Sequence, residues 1–421
     1  MHSPSDHETP LGCGPLCPSL SDAQRPVKLQ IFERIRAAGS ASRSQIAKEL
    51  RISPATASTL TAELIDDGFL CETRATLTPT DSPRGRPPVA LAIEAGRHLV
   101  AGIKLGTHEM TGIVVNFGGQ QIASARIEVD TGMDSPRVWA ENCATLFREL
   151  LNEGNLTPPQ IAHLGVAVPG YVDNFSGIVA WSPLLDTRGT NFADLLHAHL
   201  GVPVSIDNDA NLVALAELWF GVGRDKSDFL VVTVEKGVGT GAVLDHRLFR
   251  GAHGYGLELA HTKVQLDGAL CRCGQRGCLE AYVSDYALVR EARAALGLLD
   301  EPVARTTELL IRLGDEAKAG NPVARSIFTR AGRYLALGLA NMVSLLDPSF
   351  IILSGDRLGQ NYFEAEESLS EMRQLVLGAG RSLPRIEVHR WDDLLWAHGG
   401  AALALSAVTE AELGLPREDA A

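Results

Sequence analysis

Hydrophobic positions near the start of the chain recur at helical spacing in three short stretches. A capping-box pattern at Ser42 opens the second stretch, and Ser53 followed by a proline opens the third. The first stretch carries its apolar residues three apart and ends at a glycine stop signal: Leu29, Phe32, Ile35 and Gly39. The pattern predicts three short helices within residues 27–70.

The third predicted helix is rich in small hydroxyl side chains. Its apolar residues, Leu60, Leu64 and Ile65, face inward by their spacing. Its hydroxyl residues are expected outward or at the flanks: Thr56, Ser58, Thr59 and Thr61. Two short helices, a tight turn and such a helix predict a helix-turn-helix, because small side chains let a helix lie deep in the major groove. An accessory three-helix domain without a DNA role is the alternative.

Two strands are predicted after these helices, at residues 69–73 and 89–93, around a loop rich in proline and threonine. Two arginines near the end of this loop suit a phosphate or the minor groove, as the wing of a winged helix does. We therefore predict a winged helix-turn-helix DNA-binding domain over residues 25–95. Its candidate DNA contacts are Ser53, Thr56, Ser58, Thr59, Arg84 and Arg86.

From residue 99 onward, apolar runs of strand length alternate with helical patterns, including a helix around residues 137–152 and a buried strand at 161–170. This alternation favours an α/β fold with a mostly parallel sheet. Its repetition fits two similar lobes with a cleft between them. We predict a body over residues 96–421, and a disordered tail over residues 1–24, which are rich in Pro, Ser and Gly.

Charge is distributed unevenly along the chain. The net charge of −13 argues against a protein that binds nucleic acid along its whole length. Residues 25–95, however, contain ten Lys/Arg and eight Asp/Glu, a net of +2, so the remainder carries −15. A mildly basic module on an acidic body fits a separate DNA-binding domain. With no run of eighteen apolar residues and no secretory pattern at the N-terminus, we expect no membrane span and a cytoplasmic protein.

Three of the seven cysteines fall within eight residues, with a histidine just upstream. Thiolates and an imidazole suit a tetrahedral structural zinc with no position left open for catalysis. Buried or free thiols are the alternative, but the density of cysteines among glycines favours the metal. Four scattered cysteines elsewhere do not form a disulfide framework. The predicted zinc ligands are His261, Cys271, Cys273 and Cys278.

This stretch and its flanks resemble the signature of the ROK family (repressors, open reading frames, sugar kinases). The matching residues are Gly254-Tyr-Gly-Leu-Glu258-Leu-Ala-His261 and Cys271-Arg-Cys273-Gly-Gln-Arg-Gly-Cys278-Leu-Glu280. The resemblance implies a two-lobed actin-like ATPase fold and a structural zinc within residues 261–280. It covers residues 27 to about 405. The Gly-Arg-Pro wing is similar to the N-terminal module of ROK repressors, which simple ROK kinases lack.

A second motif, Asn208-Asp209-Ala-Asn211, follows a predicted strand and starts a helix. It resembles the Asn-Asp-Ala-Asn motif of the family, which implies that Asp209 accepts the proton of the reacting sugar hydroxyl in kinases and that Asn208 bonds a neighbouring hydroxyl. A capped helix start with an Asx-turn explains the same residues. The ligand-binding residues that the resemblance implies are Asn208, Asp209, Glu258, His261 and Glu280, with Asp209 as a vestigial base.

Three turns that face the nucleotide in ROK kinases differ from the family pattern here. Lys104 stands where a magnesium-associated aspartate is implied, and Glu109 adds negative charge. Glu235 and Thr240 interrupt the second glycine-rich loop, and the third reads Ser354-Gly-Asp. We predict that ATP binding is lost and that the chain is not an enzyme. An ATP-dependent sugar kinase with an appended domain is the alternative, and a scaffold that lost both ligands is a third possibility.

The sequence thus predicts a transcriptional regulator, most simply a repressor of carbohydrate-metabolism genes. The winged helix would bind operator DNA as part of a homodimer or homotetramer, and a sugar or sugar phosphate in the cleft would change operator affinity. Leu184 stands where sugar-binding members usually have asparagine, which removes one polar contact with the ligand.

Overall fold

A computed structural model of the protein describes residues 12–16, 25–74, 89–130, 132–295, 306–354, 365–378, 380, 382–389 and 394–414. The chain divides into two compact units. The first comprises Met1–Ser227, Asp245–Arg247 and Asp393–Ala421, and the second comprises Asp228–Leu244 and Leu248–Asp392. Among the described residues, no helix has the length and apolarity needed to cross a membrane.

The described part of the first unit opens with helices and a small antiparallel sheet. In chain order these are α1 (Val27–Ala38), β1 (Ser40–Ser42), α2 (Arg43–Glu49), α3 (Pro54–Asp66), β2 (Leu70–Arg74) and β3 (Val89–Ile93). The sheet has the order β1-β3-β2 with antiparallel pairing throughout. Three helices and a small antiparallel sheet are consistent with the predicted winged helix-turn-helix, which stays a prediction.

Local signals start the second and third helices where the sequence predicts. Ser42 and Gln45 form a complete capping box at α2, and the Ser53 hydroxyl accepts a hydrogen bond from the Thr56 amide at α3. The apolar faces then pack into one core. Its fully buried members include Leu29, Phe32, Ile35, Ile46 and Leu64.

One residue of α3 is buried, although we expected it to face outward or to lie at the flank. Thr61 is fully buried, whereas its hydroxyl character suggested an outward or flanking position. Its Oγ1 donates to the Ala57 carbonyl at 2.7 Å and accepts from Arg43 Nε at 3.1 Å. Because both hydrogen-bonding capacities are satisfied inside the module, the hydroxyl is tolerated in the core.

The first unit continues into a five-stranded sheet and its covering helices. In chain order these elements are β4 (Leu99–Lys104), β5 (Glu109–Asn116), β6 (Gln121–Glu128), α4 (Pro136–Gly154), β7 (Ile161–Val168), β8 (Tyr171–Asp173), β9 (Ile178–Trp181), β10 (Thr190–Asn191), α5 (Phe192–Leu200), β11 (Val204–Asn208) and α6 (Asp209–Phe220). The main sheet has the order β11-β7-β4-β5-β6, and β8 to β10 form a small separate sheet.

The second unit repeats this topology with different strands. Its described elements are β12 (Phe229–Val234), β13 (Val238–Leu244), β14 (Arg247–Phe249), α7 (Glu280–Val283), α8 (Asp285–Ala295), α9 (Thr306–Lys318), α10 (Pro322–Leu346), β15 (Phe350–Ser354), α11 (Ala365–Leu375) and β16 (Arg385–His389). The sheet order is β14-β13-β12-β15-β16. In both sheets the central strand pairs antiparallel with the next strand in sequence and parallel with a later one. The chain returns to the first unit with α12 (Leu395–Leu413).

Glycines let α12 lie directly against the sheet of the first unit. A Cβ atom on Gly102 of β4 would overlap the Ala397 carbonyl, and one on Gly165 of β7 would overlap the Gly400 carbonyl. Gly399 lies equally close to the backbone of α6. The distance between helix and sheet is therefore set by main-chain contact, which no side chain longer than hydrogen permits.

Residues 12–16 are ordered between the ends of α1 and α6, which corrects our prediction of a disordered tail for that stretch. Cys13 is only 2 % exposed, and its amide donates to the Arg36 carbonyl at 3.1 Å. The Gly14 amide donates to the Trp219 carbonyl at 2.8 Å. Composition suggested disorder, but small residues can approach helix ends closely enough to satisfy carbonyls that lack intrahelical partners. The rest of the predicted tail lies outside the described residues.

Candidate functional site

Four potential metal ligands converge in the second unit. One ligand atom from each of His261, Cys271, Cys273 and Cys278 lies within 4.8 Å of the others. His261 Nδ1 is 3.7 Å from Cys271 Sγ, and Cys273 Sγ is 3.8 Å from Cys278 Sγ. Tetrahedral zinc–thiolate bonds of about 2.3 Å place two sulfurs about 3.8 Å apart. The structure therefore brings the four predicted ligands together at the spacing of a single closed zinc site.

Tight turns hold these ligands in place. Gly274 and Gly277 have φ angles of 88° and 76°, in the left-handed region that favours glycine. A Cβ atom on Gly277 would also overlap the Gln265 carbonyl. The Cys271 amide donates to the Gln275 carbonyl at 2.8 Å, which closes the turn that carries Cys273. The glycines that the sequence placed among the cysteines are thus required by backbone geometry.

Burial and neighbouring groups shift the pKa values of two of the four candidate ligands. Burial lowers the pKa of His261, although Glu280 opposes this, so the imidazole is neutral and can offer a nitrogen lone pair. Burial raises the pKa of Cys271, so a thiolate there needs a compensating positive charge, which a bound metal supplies.

Two donors support the sulfurs. Lys263 Nζ lies 2.9 Å from Cys278 Sγ, and the Tyr286 hydroxyl donates to Cys271 Sγ at 3.6 Å. Outer groups of this kind orient metal ligands and stabilise their charged forms. Neither residue was predicted from the sequence. The position of Lys263, two residues after His261, could have indicated that it neighbours the candidate ligands.

Asn208 and Asp209 lie where β11 ends and α6 begins. Asn208 caps the helix, because its Oδ1 accepts from the amides of Ala210 at 2.9 Å and Asn211 at 3.3 Å. Its Nδ2 donates to the Gly170 carbonyl at 2.7 Å. The capped helix start that we considered as an alternative is therefore present, and it holds the Asn208 amide in one fixed orientation.

Asp209 has a lysine for a neighbour. Burial raises the pKa of Asp209, and the positive charge of Lys104 partly opposes that rise. Lys104 Nζ lies 3.4 Å from the centroid of the Trp396 ring, a cation–π contact that fixes the ammonium. The chain thus places its own cation where the resemblance implies a magnesium-associated aspartate. An ammonium has no lone pair to offer, so Lys104 cannot hold a magnesium ion as the implied aspartate would.

The other three predicted ligand residues belong to the second unit. Glu258 precedes a short 3-10 helix, Leu259–His261, and Glu280 is the first residue of α7. Glu280 Oε1 lies 3.7 Å from Cys271 Sγ, and its Oε2 is the nearest atom to the Cβ position of Gly237. Glu280 therefore contacts both the zinc cluster and the turn between β12 and β13. A shared sugar-binding role for these residues with Asn208 and Asp209 stays a prediction.

The nucleotide-facing turns are only partly described. Glu109 forms an ion pair with Arg126 at 3.3 Å on the β5–β6 ribbon, so its charge is partly neutralised. Thr240 is buried within β13, and Ser354 ends β15. The residues that follow, Gly355 and Asp356, lie outside the described part of the chain.

The predicted DNA-binding face is exposed along α3. Thr56, Ser58 and Thr59 are exposed, and the Ser53 hydroxyl caps the helix. Arg84 and Arg86 lie outside the described residues. A groove beside these side chains includes two basic residues of α2 that were not predicted from the sequence. It is lined by Arg43, Ser44, Ala47, Lys48, Ile52, Pro54 and Ser58. The positive charge of two side chains on the helix before the turn could have indicated them, because Lys and Arg bind DNA phosphates.

The profile of the ROK family matches residues 100–406. The chain belongs to the ROK family. It is 30% identical over 388 residues to a putative xylose repressor from Caldicellulosiruptor sp., with 90% of this chain and 95% of that protein covered. A glucokinase from Streptomyces coelicolor is also 30% identical, but over 270 residues, which are 61% of this chain and 81% of that protein.

Among solved structures, a ROK family transcriptional regulator described as a homologue of the Escherichia coli MLC protein superposes with a TM-score of 0.72. It is 26% identical and covers 92% of this chain and 96% of its own. The predicted family and the α/β fold class are confirmed by these similarities. Both of these alignments, with the putative xylose repressor and with the transcriptional regulator, cover 90% or more of this ROK protein and so extend into its N-terminal module. The family profile itself begins at residue 100.

Proposed function

We propose that this ROK protein is a DNA-binding transcriptional repressor of carbohydrate-metabolism genes, and that a sugar or sugar derivative controls its operator affinity. The observation that carries the proposal is a module of three helices and a small antiparallel sheet joined to a ROK body. The chain aligns over nearly its whole length with a putative xylose repressor and a ROK transcriptional regulator. The exposed hydroxyl face of α3, beside the basic residues of α2, provides the DNA contacts.

Operator binding is tested by fluorescence anisotropy with the DNA upstream of the protein's own coding region. Thr59→Glu is expected to weaken binding on the order of 10- to 100-fold, because a carboxylate on the recognition helix replaces a contact and repels phosphates. Thr187→Glu, an exposed threonine in a loop of the body, serves as the matched control and is expected to bind like the wild type. Wild-type protein that fails to bind this DNA at low salt would contradict the proposal.

Sugar binding is proposed to involve the predicted residues Asn208, Asp209, Glu258, His261 and Glu280. Asp209→Asn is expected to weaken binding of the sugar roughly 10- to 100-fold, since an amide nitrogen replaces an acceptor oxygen and a buried group left without its partner costs about 1–3 kcal/mol. Asp186→Asn, an exposed aspartate in the same unit, is the control. Isothermal titration measures both, after a thermal-shift panel of free sugars and sugar phosphates identifies the ligand. Equal affinities in the two variants would remove Asp209 from the site.

An ATP-dependent sugar kinase is the second candidate, favoured by the retained Asp209 and by the similarity to a glucokinase. Lys104, held against Trp396, opposes it because the metal–phosphate site loses its implied aspartate. A coupled assay with ATP, magnesium and hexoses distinguishes the two functions. Turnover above background would establish the kinase, and its absence beside operator binding would support the repressor.

Zinc is the metal we propose for the Cys3His cluster, in a structural role. The closed set of four protein ligands leaves no position for a reacting water.

We further propose that the protein acts in the cytoplasm as a homodimer or homotetramer, because two recognition helices on one particle read the two halves of a symmetric operator.

A further inference from the structure

Helix α6 joins the predicted ligand residues to the DNA-binding module. It starts at the Asn208–Asp209 motif and runs twelve residues, about 18 Å, to Phe220. Near its far end, the guanidinium of Arg36 in α1 lies 4.5 Å from the centroid of the Trp219 ring. One rigid element therefore contacts the winged helix at one end and carries a candidate sugar ligand at the other.

The C-terminus of α1 is capped by residues from outside the winged helix. Arg224, four residues beyond α6, donates from its NH2 group to the Ala37 carbonyl at 2.6 Å. The Cys13 amide donates to the Arg36 carbonyl at 3.1 Å. Because the last carbonyls of a helix lack intrahelical partners, these bonds stabilise α1 only while the module stays docked on the body.

Residues 12–16, which we call the strap, connect these two elements. The strap bonds to the α6 end through the Gly14 amide with the Trp219 carbonyl at 2.8 Å and the Leu16 amide with the Arg224 carbonyl at 2.7 Å. Arg224 Nε returns a bond to the Gly14 carbonyl at 3.0 Å. On the other side, the strap contacts α1 through Cys13 and through a bond from Arg34 to the Leu16 carbonyl.

The fit of the strap leaves no room for an additional atom at its first residue. A Cβ atom on Gly12 would meet the Gly39 amide nitrogen at 2.5 Å and the Ala37 carbonyl oxygen at 2.7 Å, and it would overlap the Arg36 carbonyl oxygen. These are main-chain atoms, so rotation of a side chain cannot relieve the contact. Gly12→Ala must therefore displace the strap from the end of α1.

We propose that the strap and Arg224 are the coupling element through which a ligand at the start of α6 changes the DNA affinity of the winged helix. The inference rests on the proposed function and adds the route of regulation. A ligand that shifts α6 moves Trp219 and Arg224 with it, because a packed helix moves as a rigid body. The capping bonds then transmit the shift to α1, which shares its core with the recognition helix α3.

The test compares operator affinity with and without the sugar found by thermal shift, in wild type, Gly12→Ala, Arg224→Lys and Gly132→Ala. Gly132 is the matched control, since a Cβ atom there meets nothing within 4 Å. In wild type the sugar is expected to change the dissociation constant for DNA by roughly 5- to 150-fold, the usual range of allosteric coupling. In both coupling variants that factor is expected to fall towards 1, while sugar affinity measured without DNA stays within about 3-fold of wild type.

The outcomes separate the inference from the function on which it rests. A sugar response of wild-type size in both Gly12→Ala and Arg224→Lys would overturn the coupling element and leave the repressor function standing. Wild-type protein without operator binding would overturn both. Arg224→Lys keeps the positive charge and introduces no overlap with main-chain atoms, so it remains informative if Gly12→Ala reduces the yield of folded protein.

Discussion

Replacing Cys273 by serine is expected to remove the metal from the Cys3His cluster and to destabilise the second unit. A hydroxyl is a poor zinc ligand, and three remaining ligands do not complete a structural tetrahedron. Apart from the hydrogen bonds of its turns, the loop has little apolar packing, because the small cluster around it contains only Cys271, Cys278 and Ala281 as buried members among the described residues. Structural zinc contributes about 10–16 kcal/mol to small zinc-finger peptides. We expect a loss of several kcal/mol here, because the second unit also has a large core of its own.

The measurement is metal content by atomic emission, together with the melting temperature by calorimetry. Cys71→Ser is the matched control, since Cys71 lies in β2 of the first unit and is not one of the four candidate ligands. A chelator titration on the wild type is expected to reproduce the lower melting temperature of Cys273→Ser. Unchanged metal content and melting temperature in this variant would show that the cluster is not a zinc site.

Gly165→Val is expected to destabilise the first unit strongly. Gly165 is central in β7, between β4 and β11, and its Cα faces the Gly400 backbone of α12. Overpacking a core typically costs about 1–3 kcal/mol when side chains can adjust, and a collision with main-chain atoms on a packed helix exceeds that. Since a domain is stable by only about 5–15 kcal/mol, most of that stability would be lost.

Urea unfolding followed by tryptophan fluorescence measures this effect, because Trp139, Trp181, Trp219 and Trp396 all belong to the first unit. Gly165→Ala is expected to shift the midpoint in the same direction by a smaller amount. Gly132→Val, in open space, is the control and is expected to unfold like the wild type. A midpoint for Gly165→Val equal to that of the control would mean that α12 does not pack on the strand as described.

The proposed loss of kinase function is independent of both stability experiments. Lys104 lies against the Trp396 ring, and its positive charge partly opposes the rise in the pKa of Asp209 that burial causes. A repressor needs its ligand site to bind and release a sugar, and it does not need a phosphoryl donor. The same ROK fold then serves as a sensor, since function depends on the residues of the site and not on the fold alone.

Local patterns in the sequence were enough to predict most elements and the residues that meet in the Cys3His cluster. Capping residues such as Ser42 and Ser53 act within a single helical turn, and Cys271, Cys273 and Cys278 fall within eight residues, so their geometry is set by the chain nearby. The same holds for the repeated strand pattern, which appears as two sheets of one topology.

Tertiary structure alone decided the features that depend on residues far apart in sequence. The burial of Thr61 depends on Arg43, and the orientation of Asn208 depends on Gly170. The order of residues 12–16 depends on Arg224, more than two hundred positions later. Hydrogen bonds and packing contacts form between atoms that are close in space, whatever their distance in sequence. A local sequence pattern does not show which distant main-chain groups will lack a hydrogen-bond partner.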